Sequence, residues 1–172
     1  MSNSLERLTW IKFSLKVANN FFDQPIIRRA IIKSLFELSN LTYKTVVSPC
    51  GSLRLYEGTK IIKVGYVKGT KLHFVERWEA SIPPEELVTN LMETTFTIKI
   101  EYLIKRGKSQ RKLQSDVYNV RINIQRGSVD FYIKHVEGLL RTSFDEVFNM
   151  IKANFIRNLR TLLRRRHRHA HD

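Results

Sequence analysis

The longest regular pattern in the chain lies near its C-terminus, where residues 143–163 read SFDEVFNMIKANFIRNLRTLL. Ser143 and Glu146 have the spacing of a capping box, in which each side chain accepts a backbone N–H that otherwise lacks a partner at the start of a helix. Apolar side chains then recur every three or four residues, which predicts a long helix with one apolar side. That side consists of Phe144, Phe148, Ile151, Phe155, Leu159 and Leu162. The apolar side of such a helix needs a second layer of structure to cover it.

Upstream of this helix the period changes to two, which is typical of strands with one buried face. The clearest case is residues 96–105, where large apolar side chains alternate with Thr, Lys and Glu. Gly- and Pro-containing turn signals separate several such segments. Further strands are predicted over residues 42–48, 52–56, 59–67, 71–79, 120–125 and 129–136.

Two helices are expected to open the chain. Residues 5–18 carry apolar side chains at helical spacing, which predicts the first helix. Asp23 can cap the second, with Pro25 in its first turn, where backbone N–H groups lack partners in any case. This helix would end near Ser39. A short middle helix is predicted after Ser81, where two prolines and two glutamates form a helix-start signal.

Together these elements predict an α+β fold with one antiparallel sheet of about six to seven strands. The sheet would be joined by two N-terminal helices, the short middle helix and the long C-terminal amphipathic helix. Residues 1–163 would form a single domain, and residues 164–172 a basic tail rich in His and Arg. Similar strand patterns in the two halves suggest βββα-like repeats over 41–92 and 95–163, although generic hairpin patterning explains them equally well.

The charge of the chain indicates its class of partner. Thirty Lys and Arg residues against sixteen Asp and Glu give a formal net charge of +14. Self-repulsion of this size favours a polyanionic partner, and we expect DNA or RNA. The single cysteine, Cys50, excludes an intramolecular disulfide and favours a reducing compartment. With no secretory signal and no transmembrane segment in the sequence, the expected location is intracellular, either cytoplasmic or nuclear/nucleoid.

Candidate nucleic-acid-binding residues fall into three groups, because guanidinium and ammonium groups both bind phosphate oxygens. The first group is the arginine run at the end of the last helix: Arg157, Arg160, Arg164, Arg165, Arg166 and Arg168. The second is a basic hairpin loop with Lys105, Arg106, Lys108, Arg111 and Lys112. The third is the outward strand positions Lys63, Lys99 and Arg121.

Each group also has a purely structural interpretation. Cations near a helix C-terminus offset the helix dipole, which would account for one or two of the arginines. The basic loop could simply be solvated. Tyr66, Tyr118 and Tyr132 lie close in sequence to the strand cations and could form a stacking platform for unpaired bases. They could equally well face the core.

No catalytic or metal-binding signature is complete. His135 and Glu137 match half of a zinc-deaminase motif, but its second half requires more cysteines than the chain has. The alternating His167, His169 and His171 lack the preorganised surroundings of a metal site. No cofactor is therefore expected, and a non-enzymatic role is favoured over an enzyme.

The sequence thus predicts a non-enzymatic nucleic-acid-binding protein that contacts phosphates through its basic C-terminal helix and basic hairpin loop. One alternative is a protein-interaction or regulatory module, such as a virus-encoded antagonist of a host factor, acting as a homodimer or with a protein partner. A second alternative is a metal-dependent nuclease of unfamiliar type.

Overall fold

The computed structural model describes residues 9–17, 24–49 and 53–170. The strands within these residues are β1 (Ile11–Lys16), β2 (Thr42–Val47), β3 (Tyr56–Lys68), β4 (Lys71–Phe74), β5 (Phe96–Arg106), β6 (Ser109–Gln125) and β7 (Ser128–Glu137). The α-helices are α1 (Gln24–Leu38), α2 (Pro84–Leu87) and α3 (Phe144–His169), and a short 3-10 helix spans Arg77–Ser81.

All seven strands belong to one curled antiparallel sheet, in the order β1-β7-β6-β5-β3-β2 with β4 paired to β3. The predicted α+β class and the antiparallel sheet of six to seven strands are therefore confirmed. Strands β1 and β2 lie at the two ends of this order. The proposed domain and tail, and the proposed repeats, stay predictions, although α3 runs without a break through His169.

One face of the sheet and the apolar sides of α1 and α3 form the core. In β5 every second side chain from Phe96 to Ile104 belongs to this core. Phe148 of α3 stacks on Phe13 of β1, with ring centroids 4.5 Å apart. A buried aromatic side chain of this kind contributes roughly 1.5–3 kcal/mol. The opposite face of the sheet, called the open face below, carries Lys12, Lys44, Lys63, Lys99, Glu101, Arg121, Asp130, Tyr132 and Lys134.

The first of the two predicted N-terminal helices is wrong, so the predicted pair is not present. The described part of the first, residues 9–17, contains strand β1 instead of a helix. Phe13, Leu15 and Val17 alternate with polar residues, so this short segment fits a period of two as well as a helical one. The segment forms a strand because the edge of β7 pairs with it in antiparallel orientation along the whole of β1, beginning with Ile11 opposite Ile133. A single long helix, α1, follows; the expected cap Asp23 lies outside the described residues.

The strands around Gly58 also differ from the prediction. Two strands were predicted, 52–56 and 59–67, with a break between them at Glu57-Gly58. Residues 53–55 belong to no strand, and β3 begins at Tyr56 and runs straight through Glu57 and Gly58. A side chain at Gly58 would come within 2.7 Å of the carbonyl oxygen of Leu103, so this glycine permits close packing of β3 against β5. Glycine inside a strand often marks such a close approach. The predicted strand 71–79 ends at Phe74, and the predicted middle helix is the single turn α2.

Candidate nucleic-acid interface

The last turns of α3 extend beyond the packed part of the molecule. Asn158 is the last buried residue of the helix, and residues 164–169 are exposed on every side. A helix of 26 residues is about 39 Å long. From Val147 to His169 its sequence contains seven Lys and Arg residues and no Asp or Glu. The arginines at positions 157, 160, 164 and 168 are three or four residues apart, which places them on one side of the helix.

The arginines of α3 differ in whether a carboxylate neutralises them. Arg157 donates to Oε2 of Glu37 on α1 at 2.7 Å, and Lys33 lies 3.9 Å from the other oxygen of that carboxylate. Beyond Arg157, four guanidinium groups make no ion pair within the described residues: Arg160, Arg164, Arg165 and Arg168. The end of the helix therefore carries positive charge that the rest of the described chain does not balance.

The predicted basic loop is a tight hairpin. Strand β5 ends at Arg106 and β6 begins at Ser109, so only two residues connect them. Gly107 has φ +61°, a conformation that favours glycine. Arg106 donates to the hydroxyl of Tyr56 at 3.2 Å, and its guanidinium lies over the Tyr56 ring. Three other predicted cations of the hairpin are exposed and make no ion pair with described residues: Lys105, Lys108 and Arg111.

The hairpin and the arginine-rich end of α3 lie at opposite ends of that helix. Tyr56, which holds Arg106, pairs with Val47 at the end of β2. The next residue, Ser48, accepts a hydrogen bond from Arg141, only three residues before α3 begins. The hairpin is thus near the first turn of α3, whereas Arg164 and Arg168 belong to its last turns. The hairpin and the end of α3 therefore cannot form one compact site, although the sequence alone was compatible with one.

On the open face, three predicted cations share one carboxylate. Lys63, Lys99 and Lys112 lie 3.1, 3.7 and 3.5 Å from Oε1 of Glu101. Burial alone would raise the pKa of Glu101, but the hydrogen bond from Lys63 and the charges of Lys63, Lys112 and Lys99 lower it below its ordinary value of 4.5. Three lysines around one ionised carboxylate leave an excess of two positive charges.

The tyrosines near these cations separate into two classes. Tyr66 and Tyr118 are buried in the core and cannot stack with a ligand. Tyr132 lies on the open face, directly opposite Arg121 in the pairing of β6 with β7. Sequence reasoning missed Trp10, which lines the same groove as Arg121 and Tyr132. The alternation of Trp10, Lys12 and Ser14 would have revealed it, had residues 9–17 been interpreted as a strand.

A buried polar cluster closes the end of the sheet where α3 begins. Asp116 accepts hydrogen bonds from the Tyr102 hydroxyl at 2.6 Å and from the backbone N–H groups of Leu140 and Arg141 at 2.7 and 2.8 Å. Nε2 of His135 also lies 2.9 Å from Oδ1 of this carboxylate. Burial would raise the pKa of Asp116, but these hydrogen bonds lower it. Since all the side-chain members are buried, the half-motif at His135 belongs to a structural contact rather than to an open site.

Within the described residues, no three His, Cys, Asp or Glu side chains are close enough to hold a metal ion together. His167 and His169 lie on the exposed last turns of α3, and His171 is outside the described residues. No helix in that part of the chain is both long and apolar enough to cross a membrane.

Comparisons with protein-family models, with curated proteins and with solved structures gave no match.

Proposed function

We propose that this chain is a non-enzymatic nucleic-acid-binding protein and that the end of α3 is its main contact with the phosphates of DNA or RNA. The observation that carries the proposal is the projecting helix end, where four arginines have no carboxylate partner among the described residues. Together with a net charge of +14, this arrangement favours a partner with repeated negative charges.

Phosphate contact at this surface would be driven by the release of counterions from the nucleic acid. Because the arginines project into solvent, little desolvation of buried groups opposes binding. Contacts to phosphates do not distinguish one base sequence from another, so we expect modest sequence specificity. Such a role is consistent with a cytoplasmic, nuclear or nucleoid location, since these compartments contain nucleic acid.

The hairpin at Arg106–Ser109 would act as a second, separate contact, because it lies near the opposite end of α3. The alternative function, a protein-interaction module, would use an end strand of the sheet, β1 or β2. That alternative predicts a homodimer or complex that persists at high salt, because apolar contacts and backbone hydrogen bonds are not screened by ions.

The proposal is tested by comparing two variants that lose the same charge at different places. The helix-end variant replaces Arg160, Arg164, Arg165 and Arg168 with Gln, and the hairpin variant replaces Lys105, Arg106, Lys108 and Arg111 with Gln. Each loses four positive charges at exposed positions. Binding of a labelled oligonucleotide is measured by fluorescence anisotropy at 0.1 M salt, and circular dichroism checks that both variants are folded.

We expect the helix-end variant to bind roughly 100-fold more weakly than the wild type, because it loses about four phosphate contacts. The hairpin variant should lose less, about fivefold, because we expect the hairpin to make fewer phosphate contacts than the helix end. Equal losses in the two variants would mean that binding follows net charge alone and would contradict the assignment to α3. Wild-type protein that does not bind nucleic acid at all would contradict the proposed function itself.

A further inference from the structure

A groove of about 420 Å³ lies on the open face of the sheet, where β1, β7 and β6 lie side by side. Trp10, Met92, Arg121, Asn123 and Tyr132 line it. Trp10 directly precedes β1, and continuing the register of β1 with β7 places it opposite Lys134, whose Nζ lies 5.7 Å from the centre of the indole ring. Tyr132 pairs with Lys12, two positions along the same face. The two aromatic rings are therefore diagonal neighbours, within reach of each other.

The charge around this groove is positive. Lys12, Arg121 and Lys134 surround it, and Arg121 makes no ion pair within the described residues. The nearby Asp130 is buried. Its carboxylate already accepts a hydrogen bond from the Ser14 hydroxyl at 2.6 Å and forms an ion pair with Lys12 at 3.7 Å. A ligand in the groove would therefore meet two aromatic rings, two cations that remain available and the amide of Asn123.

The cations continue across the open face from this groove. Lys99 on β5 lies directly opposite Lys63 on β3, and both belong to the cluster around Glu101 that has an excess of positive charge. From β7 to β3 the path crosses three strand spacings, about 14 Å in all. An extended polyanion could lie along this path with one end in the groove.

We infer that this groove binds an unpaired base of a single-stranded nucleic acid by stacking it on Trp10 and Tyr132, while Arg121 and Lys134 contact the adjacent phosphates. The inference rests on the proposed function and adds to it the strandedness of the ligand. Every base has a π-face that can stack on an aromatic side chain, whereas the bases of a duplex are already stacked on each other. Arginine near a stacked base adds a cation–π contribution.

The fluorescence of Trp10 provides the test, because the chain contains two tryptophans. Replacing the exposed Trp78 with Phe leaves Trp10 as the source of the tryptophan emission. The Trp78→Phe protein is titrated with single-stranded oligo(dT) and oligo(rU) 12-mers, with a 12-base-pair duplex and with poly-glutamate. In parallel, Trp10→Leu and Tyr132→Leu variants are assayed for binding of the labelled single strand across a salt series.

We expect the single strands to quench Trp10 emission strongly, and the duplex and poly-glutamate to leave it nearly unchanged. Trp10→Leu should weaken binding of the single strand about tenfold with the same salt dependence, because it removes stacking and no charge. Trp78→Phe alone should bind as the wild type does.

Several results would overturn the inference. Unchanged Trp10 emission at saturating single strand would do so, and the proposed function would survive if anisotropy still showed binding that depends on the end of α3. Equal quenching by the duplex would remove the preference for unpaired bases. Equal quenching by poly-glutamate would identify the groove as a site for acidic chains such as acidic peptides. If no nucleic acid binds, the inference and the proposed function fail together.

Discussion

Asp116 fixes the turn that leads from the sheet into α3. Its carboxylate holds the backbone of residues 140 and 141, and the turn reaches this position through Gly138, which has φ +102°. A side chain at Gly138 would clash with the Asp116 carboxylate and the backbone of Ser115. The β-bulge in the pairing of β5 with β6 sets Asp116 at this point. A glycine, a bulge and a buried carboxylate thus together determine where α3 begins.

Gly138→Ala should therefore destabilise the protein severely, by about 3 kcal/mol or more, because it combines backbone strain with a steric clash against a buried charge. Gly69→Ala is the matched control, since Gly69 also has a positive φ but an added Cβ would meet nothing within 4 Å. It should cost only about 1 kcal/mol. Urea unfolding of both variants measures the difference, and equal losses would mean that Asp116 does not define the turn.

At this scale little of the structure could be predicted from the sequence. Asp116 binds the turn that leads into α3, but its partners are 14 to 25 residues away along the chain. Nothing in the local pattern distinguishes the buried Tyr118 from Tyr132 on the open face, because both occupy strands. The difference depends on which face the pairing of β6 with β7 turns inward.

Among the elements, α3 was the most predictable because one pattern repeats over many turns. Ser143 accepts the N–H of Glu146 as predicted, although the Glu146 side chain pairs with Lys60 rather than closing the box. The Phe and Ile stripe packs on the core as its period indicates. Strand β1 was predicted as a helix because its six residues fit both a helical period and a period of two. It forms a strand because it pairs with the edge of β7, which is far away in sequence.

The last turns of α3 should be dispensable for folding. In a chain that ends at Leu163, the free energy of unfolding should change by less than about 1 kcal/mol, because residues 164–170 bury almost nothing. A chain that ends at Asn154 is the contrasting control, since it also lacks the buried Phe155 and Asn158 and should lose about 4 kcal/mol or more. Thermal unfolding compares them. A large loss in the longer chain would show that the helix end packs against the domain.

At the scale of the whole molecule, the surplus of positive charge is distributed unevenly. Glu37 and Glu101 neutralise several of the predicted cations, whereas Arg160, Arg164, Arg165 and Arg168 of α3 make no ion pair within the described residues. Composition alone gave the sign and size of the charge. It could not show which cations pair, because the carboxylate partners of Arg157 and Lys63 lie on elements that are far away in sequence.

The most direct test of phosphate binding by α3 is the dependence of affinity on salt, for the wild type and for the helix-end variant. If the four arginines each neutralise a phosphate, the logarithm of the association constant should fall against the logarithm of the salt concentration with a slope of about −2.8 or steeper for a single strand and about −3.6 or steeper for a duplex. The helix-end variant should show a slope that is shallower by the same amount, about 2.8 for a single strand and about 3.6 for a duplex. A flat response in the wild type, or the same slope in both proteins, would contradict the account.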